Sequence, residues 1–337
     1  MKKHVLLTGA SGGIGFEVLK QFIALGTVKL TVIIRASRKN KKKILPFLKE
    51  VTVVYGDLSN RWDIAQLKTS FDTVIHLAAI IPPQAYLSSK RTHEVNVQAT
   101  DDLLRHLGVT SPKAFFMFSS SVAIYGDRLK TPKIRVGDPL HEDDEDFYVQ
   151  TKIKAERIIQ NSSLDWTIFR LTAILGVNNH KISGLMFHNP LDTSMEIATP
   201  QDTARAFVNG MTHRTSLSHN IFNLGGGASC RTSYRALLER NFEINGLGKL
   251  DFPEKTFAEK NFHCGYFVDS DSLEEIIRFR QHSLIDYYQL NEAAVPKIQK
   301  FFSGLFKRPI KYFLRRMSLP LKAFKSKDAI LMKRFFE

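Results

Sequence analysis

Residues 8–15 read TGASGGIG and follow directly on the apolar run HVLLT at 4–8. Beyond them, Phe16, Leu19, Phe22 and Ile23 recur at helical spacing, so the glycines sit where a strand turns into a helix. A glycine turn in that place brings a dinucleotide pyrophosphate against the backbone, and the helix N-terminus offers it unpaired N–H groups and positive potential. Gly9, Gly12 and Gly15 are spaced G-x-x-G-x-x-G. The spacing alone is a weak signal, and the flanking strand and helix give it weight. Ser11, Gly13 and Ile14 lie inside the same turn and join the three glycines as cofactor-binding candidates.

Outward from the turn, short apolar runs at 29–34, 51–54, 73–77, 113–118 and 165–170 alternate with segments of helical periodicity, such as Val95, Leu103, Leu104 and Leu107. Strands alternating with helices imply crossover connections and a parallel sheet covered on both faces. The expected fold is α/β, a Rossmann-type doubly wound sheet. Its expected parts are a dinucleotide-binding core over 1–175, a reduced substrate lobe over 176–294 and a basic amphipathic tail over 295–337.

The second run ends IIRASRKNKKK. A site for NAD usually places an acid there to bond the ribose hydroxyls, whereas Arg35 stands in that position with Arg38 close behind. Guanidinium suits a 2′-phosphate, which favours NADP, with NAD as the alternative; the competing reading is a solvated basic loop. After the third run, Asp57 of GDLS either contacts the adenine edge or serves a turn or helix cap, and Leu58 follows it. HLAA at 76–79 ends the fourth run in small residues, and Ala78 leaves the cofactor room.

Tyr148 and Lys152 lie four apart in FYVQTKIKAE and share one helix face. A phenol with an ordinary pKa near 10 is a poor proton carrier at neutral pH, and a neighbouring ammonium favours its phenolate. The same lysine can reach the nicotinamide ribose.

TGASGGIG, GDLS, HLAA, SSSVAIYGD and YVQTK, in this order and at these intervals, resemble the extended short-chain dehydrogenase/reductase family, in particular its NAD-dependent epimerase/dehydratase branch. The resemblance spans residues 4 to about 290. It implies that Ser121, four positions before the tyrosine of YG, is the catalytic hydroxyl beside Tyr148 and Lys152, and that Asn96 of EVNVQAT matches the family's helix asparagine. It also implies a homodimer through the helices that carry Asn96 and Tyr148. Sugar dehydratases of this family follow the hydroxyl with Asp and Glu; here Val122 and Ala123 stand there, which argues against elimination chemistry. Nucleotide-sugar enzymes carry a long substrate insertion before the helix that starts here at Asp202, and only 25 residues, 177–201, separate it from TIFRLTAILG. Asn178, His180, Lys181, His188 and Asn189 are the candidates for substrate contact in that segment. The expected function is hydride transfer at a secondary alcohol or ketone of a sugar or glycan/lipid precursor. The alternatives are a 4-epimerase that retains NAD and a cofactor-binding redox sensor without turnover.

The 337 residues carry a net charge of +15, of which +10 falls in the last 43, where 12 Lys and Arg meet only Asp328 and Glu337. In this tail Ile298, Phe301, Phe302, Leu305 and Phe306 form a helical stripe flanked by cations. The pattern restarts after Pro309 with Ile310, Phe313, Leu314 and Met317 and stops at Pro320. Such basic amphipathic helices suit an anionic membrane surface; packing on the body or on a partner subunit is the competing reading, and nucleic acid the weakest. The acidic run HEDDED at 141–146 reads as a solvated loop ahead of a helix. MKKHVLLTGASGGIG breaks its apolar run too early for a signal peptide, so a cytoplasmic protein is expected. Two cysteines without ligand spacing, Cys230 and Cys264, point to no metal site and no disulfide framework.

Overall fold

The computed structural model describes residues 2–142, 146–177, 182–260 and 263–337. Seven strands form one all-parallel sheet: β1 (Lys3–Thr8), β2 (Val28–Ile34), β3 (Val51–Tyr55), β4 (Thr73–His76), β5 (Phe115–Ser121), β6 (Asp165–Leu171) and β7 (Asn220–Leu224). Their spatial order is 7-6-5-4-1-2-3, so the winding reverses between β1 and β4, the point where a doubly wound sheet opens a ligand crevice. Because the sheet is covered on both faces, its central strands are apolar on both. Val5, Leu6 and Leu7 are fully buried, as are Phe116 and Met117.

Helix α1 (Gly13–Leu25) packs Val18, Leu19 and Phe22 on one face, together with Phe207 of the later helix Pro200–Gly210. On the other face lie Leu103, Leu104 and Leu107 of Ala99–Thr110 and Ile159 of Phe147–Gln160. A smaller lobe has its own core of Phe187, Tyr234, Phe242 and Phe267, continuous with the buried Tyr125 and Tyr148. Numbering the helices between, α2 is Arg38–Ile44, α3 is Ala99–Thr110, α4 is Phe147–Gln160 and α5 is Pro200–Gly210.

The tail differs from its sequence pattern. It holds four helices, α6 (Lys297–Leu305), α7 (Lys307–Arg316), α8 (Leu319–Ser326) and α9 (Ala329–Phe335). Pro320 does not end the helical region; it occupies the first turn of α8, where a missing N–H costs nothing. Leu314, Leu321, Ala323 and Phe335 are buried. The Ser318 hydroxyl donates to the Thr256 carbonyl at 2.7 Å, and the Glu259 N–H donates to the Phe335 carbonyl at 2.8 Å. Among the described residues no helix is long and apolar enough to cross a membrane.

Candidate active site

The glycine turn divides its labour. Gly9 has φ +73°, and a Cβ there would meet the Leu77 carbonyl carbon at 2.7 Å; at Gly15 it would meet the Gly9 carbonyl oxygen at 2.2 Å. These two close the turn against β4 and against itself. Gly13 is different: a Cβ there finds nothing within 4 Å. Gly12 caps α1 without any side chain, so no side chain takes up the first N–H groups of this 13-residue helix. Backbone donors, positive potential and room fit a dinucleotide pyrophosphate. Ser11 and Ile14 lie at the rim, half-buried.

Arg35 and Arg38 are exposed at the end of β2, beside this turn. The loop is braced by Ser37, whose hydroxyl caps α2 by accepting from the Asn40 N–H at 3.2 Å, and by the Asn40 amide donating to the Arg35 carbonyl at 3.0 Å. One lysine of the basic run turns inward: the Lys43 ammonium reaches back to the Ser11 carbonyl at 2.9 Å and lies 4.1 Å from the Phe16 ring centroid. Burial, then Lys39, lower its pKa. Asp57 builds a turn, accepting from the Ser59 N–H at 3.0 Å and its hydroxyl at 2.8 Å and from Arg91 at 2.6 Å. Burial opposes its charge, but these donors hold its carboxyl below the ordinary range. Leu58 is buried, and the Ala78 N–H donates to the Thr8 hydroxyl at 3.1 Å.

Ser121 ends β5 and Tyr148 opens α4, and the structure brings the two together. The Ser121 oxygen accepts from the Ala123 N–H at 3.2 Å, which leaves its proton for the Tyr148 phenol, to which it is hydrogen-bonded. Lys152, one turn along α4 and buried, donates to the Ser119 carbonyl at 2.8 Å and lies 4.7 Å from the Phe118 ring centroid. Burial lowers its pKa to about 8, with Glu156 opposing. The expectation that Lys152 draws the phenol down is not met in this arrangement. Burial pushes Tyr148 up to about 12, Ser121 works in the other direction, and Asp146 adds to the rise. Val122 and Ala123 are buried and carry no proton-transferring group.

Asn96 is buried and lies in a π-helical turn, Glu94–Gln98. Such turns often mark functional sites. Its side chain accepts from the Ile80 N–H at 2.7 Å and donates to the Ile80 carbonyl at 2.9 Å and to Thr151 at 3.2 Å, tying the loop after β4 to α4. Beneath it His76 is fully buried between Thr8 at 2.8 Å and Thr100 at 3.1 Å. Thr8 already accepts from two N–H groups, Leu77 and Ala78, so its proton points to His76 Nδ1 and the ring carries its own proton on Nε2. Burial and then Lys152 lower the His76 pKa to about 3.

Asp146 caps α4 by accepting from the Tyr148 N–H at 2.9 Å and also accepts from the Tyr86 hydroxyl at 2.8 Å. The last residue of the acidic run is thus part of the site; 143–145 lie outside the described residues. Asn178, His180 and Lys181 also lie outside them. Asn189 hydrogen-bonds the buried Tyr234 phenol, and His188 rests 5.2 Å from the Phe335 ring of the tail. Among the described residues no cluster of His, Cys, Asp and Glu suits a metal, and both cysteines are free and buried.

A doubly wound parallel sheet, a glycine turn at its switch point and a serine, tyrosine and lysine at the end of β5 and along α4 define a dinucleotide-dependent hydride-transfer fold. The family model described as NAD dependent epimerase/dehydratase matches residues 5–189, and the chain belongs to that family. Among curated relatives, an N-acetyl-alpha-D-glucosaminyl-diphospho-ditrans,octacis-undecaprenol 4-epimerase from Escherichia coli O157:H7 is 30% identical over 191 residues, 53% of this chain and 51% of that relative, so the chain spans about half that relative's length. A D-erythronate dehydrogenase from Cupriavidus necator is 27% identical over 62% of this chain and 72% of its own. Among solved structures, a UDP-glucuronic acid 4-epimerase from Bacillus cereus in complex with NAD superposes with TM-score 0.69 at 18% identity, covering 89% of this chain and 98% of that one.

Proposed function

We propose that the protein catalyses hydride transfer at a secondary alcohol or ketone of a sugar or glycan/lipid precursor, with NADP as its preferred dinucleotide. The observation that carries this reading is the buried Tyr148 phenol held by Ser121, with Lys152 one turn along α4. A nicotinamide, when bound, supplies the hydride acceptor or donor. Ser121 and Tyr148 orient the substrate oxygen, and Tyr148 gives or takes its proton. Lys152, with a pKa of about 8, keeps a positive charge beside the site at neutral pH and offers donors to a ribose. Val122 and Ala123 provide no base for loss of water. Arg35 and Arg38, exposed where an acid would bond a ribose, support NADP.

A second reading, a 4-epimerase that retains NAD, is favoured by the 30% identical undecaprenol-linked relative, which is named for that reaction on a lipid-linked sugar. Mass spectrometry of the purified protein separates them: retained NAD supports the epimerase, and freely exchanging NADP the oxidoreductase. Tyr148→Phe tests the chemistry common to both. It deletes the hydroxyl and keeps the ring, so dinucleotide binding persists while turnover of nucleotide-linked and lipid-linked sugars falls by orders of magnitude. Near-normal turnover would place the proton donor elsewhere; no turnover by either protein, with intact binding, would favour a sensor.

A further inference from the structure

We infer that α6 and α7 form an interfacial membrane-binding surface, whose occupant is an anionic lipid bilayer. These helices carry two apolar faces, and the body uses only one. On the inner face Leu314 and Ile310 join the small-lobe core, and α6 lies so close to Gly246 that a Cβ there would sit 2.3 Å from the Lys300 carbonyl oxygen. Lys311 is anchored to the Lys249 carbonyl and to Asp251, and Lys300 to Glu292. The tail is therefore docked, not loose. Its outer face still shows Phe301 at 67% exposure and Phe313 at 63%, with Phe302, Leu305 and Phe306 also exposed. A helix of a soluble surface turns polar residues outward, and here the Phe301, Phe302 and Phe306 rings pack on one another in the open, as at an apolar binding face.

Charge selects the occupant. No acidic residue occurs between Glu292 and Asp328, and Lys297, Arg308, Arg315 and Arg316 form no ion pair among the described residues. Phenylalanines ringed by cations complement an anionic headgroup layer over acyl chains. A second copy of this chain suits the patch poorly, because a two-fold contact places the same cations against each other.

Deleting 295–337 would strip Leu314 from the small-lobe core and Ala323 and Phe335 from Ala258, confounding folding with binding, so the test uses the full chain. Wild type and the triple variant Phe301→Ser, Phe306→Ser, Phe313→Ser are floated with vesicles of phosphatidylcholine alone and with about one-third phosphatidylglycerol. Wild type is expected to float with the anionic vesicles, and the triple variant to lose about a hundredfold in partition with an unchanged melting curve. Replacing Arg308, Arg315 and Arg316 by Gln is expected to cost about fivefold per cation on anionic vesicles and little on neutral ones. The inference is overturned if wild type stays unbound with both vesicle types, if the triple variant floats as well as wild type, or if sedimentation shows a dimer that the triple variant dissolves without vesicle binding. None of these readouts depends on turnover, so the proposed chemistry stands or falls separately.

Discussion

Two alanines in one turn should behave in opposite ways, and the difference tests whether the turn is built for a ligand or only for itself. Gly13 is the first residue of α1, and a methyl group there meets nothing within 4 Å. In a helix, Gly→Ala stabilises by up to about 1 kcal/mol. At the unfolding entropy typical per residue this raises the melting temperature of a chain this size by roughly 1 °C. Yet the methyl projects into the space a pyrophosphate needs to reach the helix N–H groups. Loss of one charge-assisted hydrogen bond costs about 1.5–3 kcal/mol, roughly tenfold to a hundredfold in Kd. Gly15→Ala instead drives a Cβ to 2.2 Å from the Gly9 carbonyl oxygen. Relief requires a backbone shift, and overpacking of this kind costs about 1–3 kcal/mol. Calorimetric titration with NAD and NADP beside thermal melts separates the two variants. Gly13→Ala should melt at or slightly above wild type and bind both dinucleotides weakly; Gly15→Ala should lose stability as well. A Gly13→Ala protein with undiminished affinity would refute the assignment of the open side of the turn to the pyrophosphate.

Replacing Arg35 and Arg38 together by Ala should weaken NADP binding by about 1.5–3 kcal/mol for each guanidinium–phosphate hydrogen bond removed and leave NAD nearly unchanged; equal losses in parallel titrations would remove the basis for NADP preference. His76 has a pKa near 3 in the folded chain against an ordinary 6.5. Above 6.5 both states hold it neutral and its contribution is complete. As pH falls from 6.5 toward 3 the unfolded chain takes a proton the folded chain refuses, and stability drops by up to about 1.4 kcal/mol per pH unit. Urea denaturation across that window should show a shallower decline in His76→Gln, and equal slopes would count against the buried neutral ring.

The sheet was legible because parallel strands buried on both faces must be apolar throughout, as Val5, Leu6 and Leu7 are. The turn was legible because its glycines stand between two different periodicities. The network below it was not. His76 reads as one polar residue ending a strand, and its partners Thr8 and Thr100 lie 68 and 24 residues away. Lys43 was hidden among Lys39, Lys41 and Lys42, since composition does not say which cation of a run turns inward. Arg170 does carry a signal of its own: a charge inside the apolar stretch TIFRLT needs a buried partner. It has Glu156 at 2.7 Å, with the Tyr125 hydroxyl beside it at 2.8 Å. In the tail the hydrophobic period showed the helices, but a period cannot show that Leu314 faces the body and Phe313 the solvent, because spacing does not say which apolar residues of a helix the body covers.

If Tyr148 carries the proposed proton transfer, its protonation state sets which direction of the reaction is easier. With its pKa pushed up to about 12 by burial, the phenol holds its proton at neutral pH, and the Asp146 carboxylate opposes any phenolate further. Under the proposed chemistry, a resting site in this state is set to donate a proton, the need of a ketone being reduced. To accept one, Tyr148 needs positive charge brought nearer, and the ammonium that shares its helix face is that of Lys152. That ammonium now spends a donor on the Ser119 carbonyl. Its pKa of about 8 leaves it charged at neutral pH and strips it above that. The oxidative direction therefore depends on two conditions that pull apart as pH rises: an easier loss of the phenol proton and a vanishing charge on Lys152. Reduction starts from the protonated phenol and does not need the first condition, so under the proposed chemistry the two directions should peak at different pH values, which pH–rate profiles of each direction check.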